Sequence, residues 1–585
     1  MVAYWRKLWI SVCVLVAGFF LLAAGARAIE WAEVTEDRLL NADKDPNNWL
    51  TFYRTYNGWR YSPLSQINTT NVKKLVPKWI LSGGGVGDQK TTPLVNNGIM
   101  VVTSIDAAGT AHPRKLLRNR VMAVDSATGR ILWKHEHKLP EGMTLLVSIL
   151  TGNRGVAFWK DKVYYGTLDA RLIALKAQTG EVVWNQEIAD YKEGYYISMA
   201  PLIVKGKIIV GMAGSGEMGG RGFIEARDAK TGAQVWRTYT VPGPGEPGNE
   251  TWPGDTWKVG GATPWHHGTY DPETNLLFFG TGNPSPWIAH MRKGDNLYSC
   301  SVIALDADTG KLKWHFQFVP NEAWDLDTNQ EPLLIDVVRD GGKVKAVVHA
   351  NKLGYVYTLE RTTGKFLSAV PFTNLINWGK VDPKTGKATI NPDKVPQMGG
   401  PRVEVCPSLI GATSWGNRPY SPKTGYLYIP TNEICMMLGY AKELTYTPGK
   451  IYAGGLHTHH VKSDKSGVLR AFDVNTNKIV WEWWNTSPLV SFALATGGDL
   501  VFVGTPEGKV VALDARNGSE LWSFNVGTPV SGGIMTYSVG GKQYIAVAAG
   551  GQTRSATYYK DEPRLAHLLK NMNWGDIIVA FGLPD

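Results

Sequence analysis

The sequence predicts an all-β chain folded as an eight-bladed β-propeller with tryptophan-docking motifs. Three observations carry that prediction. One phrase of strand, tight turn and strand recurs along the chain; its 585 residues include 65 Gly and 23 Trp; and no long amphipathic helical pattern interrupts them. Glycine-rich turns between aromatic-rich runs are what short, tightly connected strands need.

In chain order, the first 28 residues stand apart. Arg6 and Lys7 precede an apolar run from Leu8 to Ala24, and Ala26-Arg27-Ala28 follows it. A basic start, an apolar stretch and a small-residue site are the layout of a secretory signal peptide cleaved after Ala28. The competing reading is an uncleaved anchor, since the run nears the length of a membrane span. Residues 29–585 are expected to form the propeller, free of the membrane once the leader is removed.

The repeat then runs through the mature chain. "AVDSATGRILW" ends at Trp133, "ALKAQTGEVVW" at Trp184, "ARDAKTGAQVW" at Trp236 and "ALDADTGKLKW" at Trp314. It returns as "TLERTTGKFLS" at Ser368, "AFDVNTNKIVW" at Trp481 and "ALDARNGSELW" at Trp522, and a degenerate first copy, "INTTNVKKLVPKW", ends at Trp79. Alternating apolar residues reach an Asp, a Thr-Gly pair closes a turn, and a second strand carries the tryptophan. With the strand that precedes each copy, this is a sheet of about four short strands, the unit of a propeller blade. The tryptophans are read as packing between blades. Spacings of 51 and 52 residues early in the chain, and 41 at the end, lengthen between Trp236 and Trp481. Such long gaps hold insertions that build sites.

Charge and cysteine content narrow the function. The formal charge is +10, and three of the positive charges, Arg6, Lys7 and Arg27, leave with the leader to give +7. The excess is spread along the chain, which argues against nucleic-acid binding and fits steering of an acidic protein partner. Cys300, Cys406 and Cys435 remain after the leader, an odd count that permits at most one internal bridge. No C-x-x-C-H is present, so no covalent c-type haem is encoded.

The segment "NEAWDLDTNQE" places Asp325 and Asp327 two residues apart. In an extended backbone such residues share a face and repel, unless a cation lies between them or water screens them. The histidines of "HTHH", His457 to His460, and of the pair His266-His267 show no metal-ligand spacing and are expected in solvated loops.

Five further stretches, "TYNGWRYSPLSQINTTNVKKLVPKW", "NRGVAFW", "WPGDTWKVGGATPW", "YDPETNLLFFGTGNPSPW" and "GDLVFVGTPEGKVVALDARNGSELW", complete a resemblance to the quinoprotein alcohol dehydrogenases, the family of the methanol dehydrogenase large subunit. It extends from about residue 45 to about 550. The resemblance implies a periplasmic enzyme that holds pyrroloquinoline quinone (PQQ) and a metal on the propeller axis. It implies Glu217 and Asn283 as metal ligands, Asp325 as ligand and catalytic base, and Asp327 as the extra carboxylate of lanthanide-dependent members, with Ca²⁺ as the alternative ion. An all-oxygen set suits a hard cation. Around the quinone it implies Trp265 as a flat floor, Arg154 as a carboxylate partner, Ser198 and Thr263 as hydroxyl donors, and Lys352 beside the reactive carbonyl. Cys406 and Cys435 match the family's long-range disulfide, which leaves Cys300 a free, buried thiol.

Three positions depart from the family pattern. Its vicinal disulfide over PQQ is replaced by Ser148-Ile149, a glutamate near "TTPLV" is Lys90, and an asparagine of the cofactor shell is Ser414. The reading is nevertheless of a small-molecule alcohol oxidised by hydride transfer to PQQ, with electrons passing to a soluble cytochrome c. Two rivals stay open: the same site acting on an anion such as thiosulfate, and a non-catalytic propeller scaffold. Pairing with a second copy of the chain is also left open.

Overall fold

The computed structural model describes residues 29–85, 89–106, 118–141, 143, 152–339, 341–551, 562–566 and 575–584. The leader and Ser148-Ile149 lie outside them. Each repeat copy but the first forms two antiparallel strands of one sheet, and the first supplies the single strand Val76–Ser82. In the sheet holding Trp184, for instance, Ala157–Trp159, Lys162–Gly166, Arg171–Lys176 and Val182–Glu187 pair in that order. Among the described residues eight such sheets follow one another, one of them widened by Tyr61–Ser62 running parallel to Ala493–Thr496. In the last sheet Val76–Ser82, from the start of the chain, pairs with Asp576–Gly582, from its end. That pairing ties the two ends of the chain into one sheet.

The repeat works through a β-bulge. In every copy the register shifts just before the tryptophan position, as between Val182 and Trp184, where the extra residue is Val183. A bulge bends the strand and re-aims the next side chain. The indole therefore turns toward the neighbouring sheet, and a small residue faces it across the ladder: Ala123 opposite Trp133, Ala174 opposite Trp184 and Ala226 opposite Trp236.

Six of the seven re-aimed indoles meet the turn of the next sheet. Trp79, Trp133, Trp184, Trp236, Trp314 and Trp481 donate Nε1–H to the carbonyls of Ser126, Ala177, Ala229, Ala307, Arg361 and Ala515 at 2.9 to 3.4 Å. Their rings cover Gly129, Gly180, Gly232, Gly310, Gly364 and Gly518, all with φ between +70° and +76°. A Cβ at Gly180 would lie 2.5 Å from Trp133 Cε3, so this glycine answers both to its backbone angle and to the ring above it. The copy without a tryptophan is instructive. Ser368 sits opposite Thr358, and the turn it should cover carries Asn477 in place of glycine. There Arg339 spans the interface, donating to the carbonyls of Val474 and Asn475 and to Asn477 Oδ1. Trp522 packs edge-on to Phe581 of the last sheet at 5.2 Å.

The long gap holds an insertion, as expected. It contains a two-stranded ribbon, Gly379–Val381 with Ala388–Ile390, and a three-stranded sheet of Val403–Val405, Ile434–Tyr440 and Gly455–Val461. Cys406 and Cys435 form a disulfide within it, and Cys300 is free and buried. The "HTHH" segment lies in the strand Gly455–Val461, not in a solvated loop: His459 and His460 pair with Met436 and Cys435. Helices are minor; the longest described, Glu36–Leu40, has five residues and is capped by the Thr35 hydroxyl. No described helix is long and apolar enough to cross a membrane.

Candidate functional site

Loops from several sheets converge on a narrow pocket whose walls include Lys90, Arg154, Ser198, Glu217, Trp265 and Asp327, with Tyr196 and Trp415 beside them. The sequence reading singled out all but the last two of these. One end of the pocket is acidic and the other aromatic and cationic.

The acidic end is built around the segment 321–331. Its premise of an extended backbone does not hold: Asp325 adopts φ +67° and the segment belongs to no strand. The cause is Glu322, which sequence reasoning passed over. Its buried Oε1 accepts the backbone N–H groups of Trp324 at 2.7 Å and Leu326 at 2.8 Å, curling the chain over its own carboxylate. Burial raises the pKa of Glu322. Asp325 and Asp327 are nonetheless both inside, 1 % and 3 % exposed.

Between them sits the Lys352 ammonium, 2.7 Å from Asp327 Oδ2 and 4.0 Å from Asp325 Oδ2, donating also to the Asp325 carbonyl at 2.8 Å. The other Asp327 oxygen accepts the backbone N–H of Asn283 at 3.0 Å and the Asn329 amide at 3.3 Å, and Trp265 Nε1 stands 3.5 Å away. Asp327 is thus the junction between the acidic end and the aromatic floor.

Two glycines allow the close approach of the remaining donors. A Cβ on Gly282 would stand 2.7 Å from Asp327 Oδ1, and one on Gly216 2.8 Å from Asn283 Oδ1. Gly216 belongs to the short helix Ser215–Met218 that carries Glu217, whose carbonyl accepts Tyr452 N–H at 2.7 Å. Asn283 donates its amide hydrogens to the carbonyls of Gly216 and Pro284 at 3.3 and 3.2 Å. With both hydrogens engaged, its oxygen is the atom left for a cation.

Three carboxylates and an amide oxygen against a single ammonium are a donor set that fits a hard cation. Among the described residues, no group of three or more His, Cys, Asp or Glu side chains is spaced to hold a metal ion by itself. A cation here would need the Asn283 oxygen and oxygens from a bound ligand to complete its shell.

At the other end the Arg154 guanidinium lies 4.8 Å from the centre of the Trp265 ring, and its Nη1 donates to the Ser198 carbonyl at 3.3 Å. Ser198 Oγ in turn donates to the Trp265 carbonyl at 3.3 Å, fixing the floor. Thr263 is buried one turn away, its carbonyl bonded to Gly282 N–H. The Ser414 hydroxyl and the Trp415 indole N–H are buried without a hydrogen-bond partner among the described residues. Such orphans are rare in native interiors and mark the place of a polar ligand. A flat ring with polar and cationic groups at its rim fits an aromatic quinone bearing carboxylates. Ile105, Leu168, Tyr196 and Met218 form an apolar wall that reaches Trp265.

Two supports were invisible in the sequence. Glu331 accepts Arg418 N–H at 2.7 Å and Nε at 3.1 Å, and pairs with Nη2, both residues being fully buried. This clamp joins the Asp325 segment to the Ser414 segment. His266 and His267 are buried rather than solvated, bonded to the carbonyls of Trp415 at 3.1 Å and Ala200 at 2.7 Å. Burial lowers both pKa values, that of His267 to about 4.

Comparison with known proteins agrees with a propeller fold. The pattern for the β-propeller domain of glucose/ethanol/alcohol dehydrogenases that use PQQ matches residues 49–375, and that of the outer membrane protein assembly factor BamB matches residues 459–560. The quinoprotein alcohol dehydrogenase PedH of Pseudomonas putida is 39 % identical across 97 % of this chain and 96 % of its own. A lanthanide-dependent methanol dehydrogenase of Methylacidiphilum fumariolicum is 35 % identical across 88 % and 86 %. The solved structure of a europium-containing methanol dehydrogenase superposes with a TM-score of 0.85 at 33 % identity, covering 94 % of this chain and all of that one.

Proposed function

This chain belongs to the PQQ-dependent quinoprotein alcohol dehydrogenases, and from that premise we propose that it oxidises an alcohol at the pocket where Asp327 meets Trp265. The observation that carries the proposal is the convergence of Asp327, the Asn283 backbone and the Trp265 indole within 3.5 Å. It puts a cation-demanding cluster at the edge of a flat aromatic floor. The eight successive sheets, joined by docked indoles and by the pairing of the two chain ends, are read as eight blades around that site.

When bound, PQQ supplies the two-electron acceptor and a metal held by Glu217, Asn283, Asp325 and Asp327 supplies a Lewis acid, best matched by a lanthanide. Asp325 is the general base for the alcohol hydroxyl proton. Its curled backbone, held by Glu322 and by Lys352 on its carbonyl, aims the carboxylate into the site instead of along a strand. Lys352 supplies positive charge at the junction, where negative charge develops as the substrate is oxidised. Trp265 and Arg154 orient the flat ligand, and the apolar wall excludes water from the reacting end. Electrons leave to a soluble cytochrome c, and the chain works in the periplasm after loss of residues 1–28.

Reconstitution of the full chain with PQQ and either La³⁺ or Ca²⁺, followed by dye-coupled turnover of primary alcohols and of thiosulfate, tests this reading. Alcohol turnover stronger with La³⁺ is expected. Turnover of thiosulfate alone would transfer the site to the anionic rival, which the cations Lys90 and Arg154 in the pocket wall motivate. The scaffold reading rests on the match over residues 459–560, whereas the alcohol dehydrogenase relatives span nearly the whole chain.

A further inference from the structure

The insertion reaches back to the acidic end of the pocket. Residues 441–454 leave the strand Ile434–Tyr440 and return as Gly455–Val461, and Ala441 N–H closes the loop on the Gly454 carbonyl at 3.0 Å. Connections of this length without strands of their own usually carry function. At the foot of this strap the buried Tyr440 hydroxyl stands 2.9 Å from the Trp287 carbonyl and 2.8 Å from that of Ala323, sharing one proton between them. On its return Tyr452 N–H donates to the Glu217 carbonyl at 2.7 Å, and the next residue, Ala453, accepts Trp287 N–H at 2.9 Å.

These contacts fall on three loops, and each loop carries a candidate cation ligand. Glu217 is on the first, Asn283 lies shortly before Trp287 on the second, and Asp325 and Asp327 follow Ala323 on the third. From inside, the loops touch through the Asn283 amide on the Gly216 carbonyl and the Asn283 N–H on Asp327. The strap joins the same three from outside. It is seated by glycines. Tyr446 and Tyr452 pack edge to face at 5.3 Å over Gly219, where a Cβ would stand 2.7 Å from Tyr446 Cε2. Gly449, at φ +69°, rests on the Lys192 carbonyl, and a Cβ there would stand 2.1 Å from that oxygen. The tip is open to solvent at Thr447, Pro448 and Lys450, and Ile451 is 52 % exposed. It can lift without disturbing a strand.

We propose that residues 440–453 are a clasp for the cation site: by tying the three ligand loops together from outside, they slow the release of a bound hard cation, with Tyr440 as the positioning residue at the foot. The proposal rests on the cation-site reading above. A hard cation takes many oxygen ligands at once, and loops already ordered before it arrives hold it more tightly than loops free to part. A strap that merely covers the insertion would instead show its loss in stability alone.

The full chain with PQQ is loaded with Tb³⁺, whose emission is sensitised by Trp265, and excess La³⁺ is added; the decay of emission gives the release rate. The unaltered chain is compared with Tyr440→Phe, which keeps the ring and removes the shared proton, and with Gly449→Ala, which pushes the tip off the Lys192 carbonyl. Each variant should release Tb³⁺ roughly fivefold faster, the scale of one lost hydrogen bond. Because the tip relieves its strain by lifting, the urea midpoint of Gly449→Ala should match that of the unaltered chain. Release in both variants that is as slow as in the unaltered chain, or slower, overturns the proposal. So does a lowered midpoint of Gly449→Ala with release unchanged, which would make the strap a structural cover. An unaltered chain that gives no sensitised emission removes the cation-site reading and the clasp with it, an outcome separate from any difference between variants.

Discussion

Lys352 places its ammonium 2.7 Å from Asp327 Oδ2, and both side chains are at least 95 % buried. One buried ammonium therefore neutralises a carboxylate that the sequence alone assigns to a metal. Removing either member strands the other in a low-dielectric site, which costs about 3–5 kcal/mol, whereas removing both costs much less. Asp327→Ala should destabilise the metal-free chain by about that amount in urea unfolding, and Asp327→Ala with Lys352→Met should recover more than half of it. Strict additivity of the two single effects would mean that the pair is not coupled. With PQQ present, Asp327→Ala should also abolish La³⁺-supported turnover.

The docked glycines make a sharper statement about stability. Gly180 combines φ +76° with a Cβ position 2.5 Å from the Trp133 ring, while Gly254, at φ +55°, has no atom within 4 Å of its Cβ position. Gly254→Ala should cost only the backbone term, about 1 kcal/mol. Gly180→Ala must also displace an indole hydrogen-bonded to Ala177 and should cost about 3 kcal/mol or more. Thermal or urea midpoints of the two variants give the comparison; equal losses would mean that the ring gives way freely.

Buried neutral histidines set the acid limb of stability. Burial is the main cause for three of them: it lowers His266, His267 to about 4, and His349 to about 3. Arg154 and Arg418 depress His266 further, and Arg418 does the same to His349. An unfolded imidazole titrates near 6.5. Above that pH neither state takes a proton and the histidines contribute no pH dependence. Between pH 6.5 and about 4 the unfolded chain binds protons that the folded chain refuses, so stability falls as the pH falls. His267→Gln removes one such group and should reduce the loss between pH 7 and pH 5 by roughly 2 kcal/mol. Unfolding free energies at the two pH values measure it, and an unchanged difference would show that His267 titrates normally.

The sequence showed what repeats and hid what depends on one contact. The tryptophan phrase could be read because turn and ring recur with the same spacing, and one copy ended at Ser368; that this copy faces the Asn477 turn was visible only in the fold. Residues of the pocket wall such as Arg154, Trp265 and Glu217 were legible from their family contexts. The curl at Asp325 was not, because it depends on Glu322 folding back on two N–H groups of its own loop. Nor was the Glu331–Arg418 clamp, whose partners lie 87 residues apart. The histidines misled for a related reason: adjacent polar residues look like a loop until a carbonyl from another sheet satisfies each ring.

Asn283 offers the most direct test of the acidic end as a cation site. Its two amide hydrogens are engaged by Gly216 and Pro284, which fixes the oxygen, and the missing Cβ of Gly216 leaves that oxygen room. Tb³⁺ is a lanthanide whose emission is sensitised by a nearby indole, and Trp265 stands 3.5 Å from Asp327 Oδ1. The full chain with PQQ should therefore show tryptophan-sensitised Tb³⁺ emission that La³⁺ displaces. Asn283→Leu removes the oxygen and both donors, so it should weaken Tb³⁺ binding roughly tenfold or more, the scale reached even when an outer-shell partner is lost. Gly216→Ala keeps every donor but pushes the oxygen aside, and a loss in the same direction is expected. If Tb³⁺ binds Asn283→Leu and the unaltered chain equally, the ion sits elsewhere and the amide serves only to brace the helix that carries Glu217.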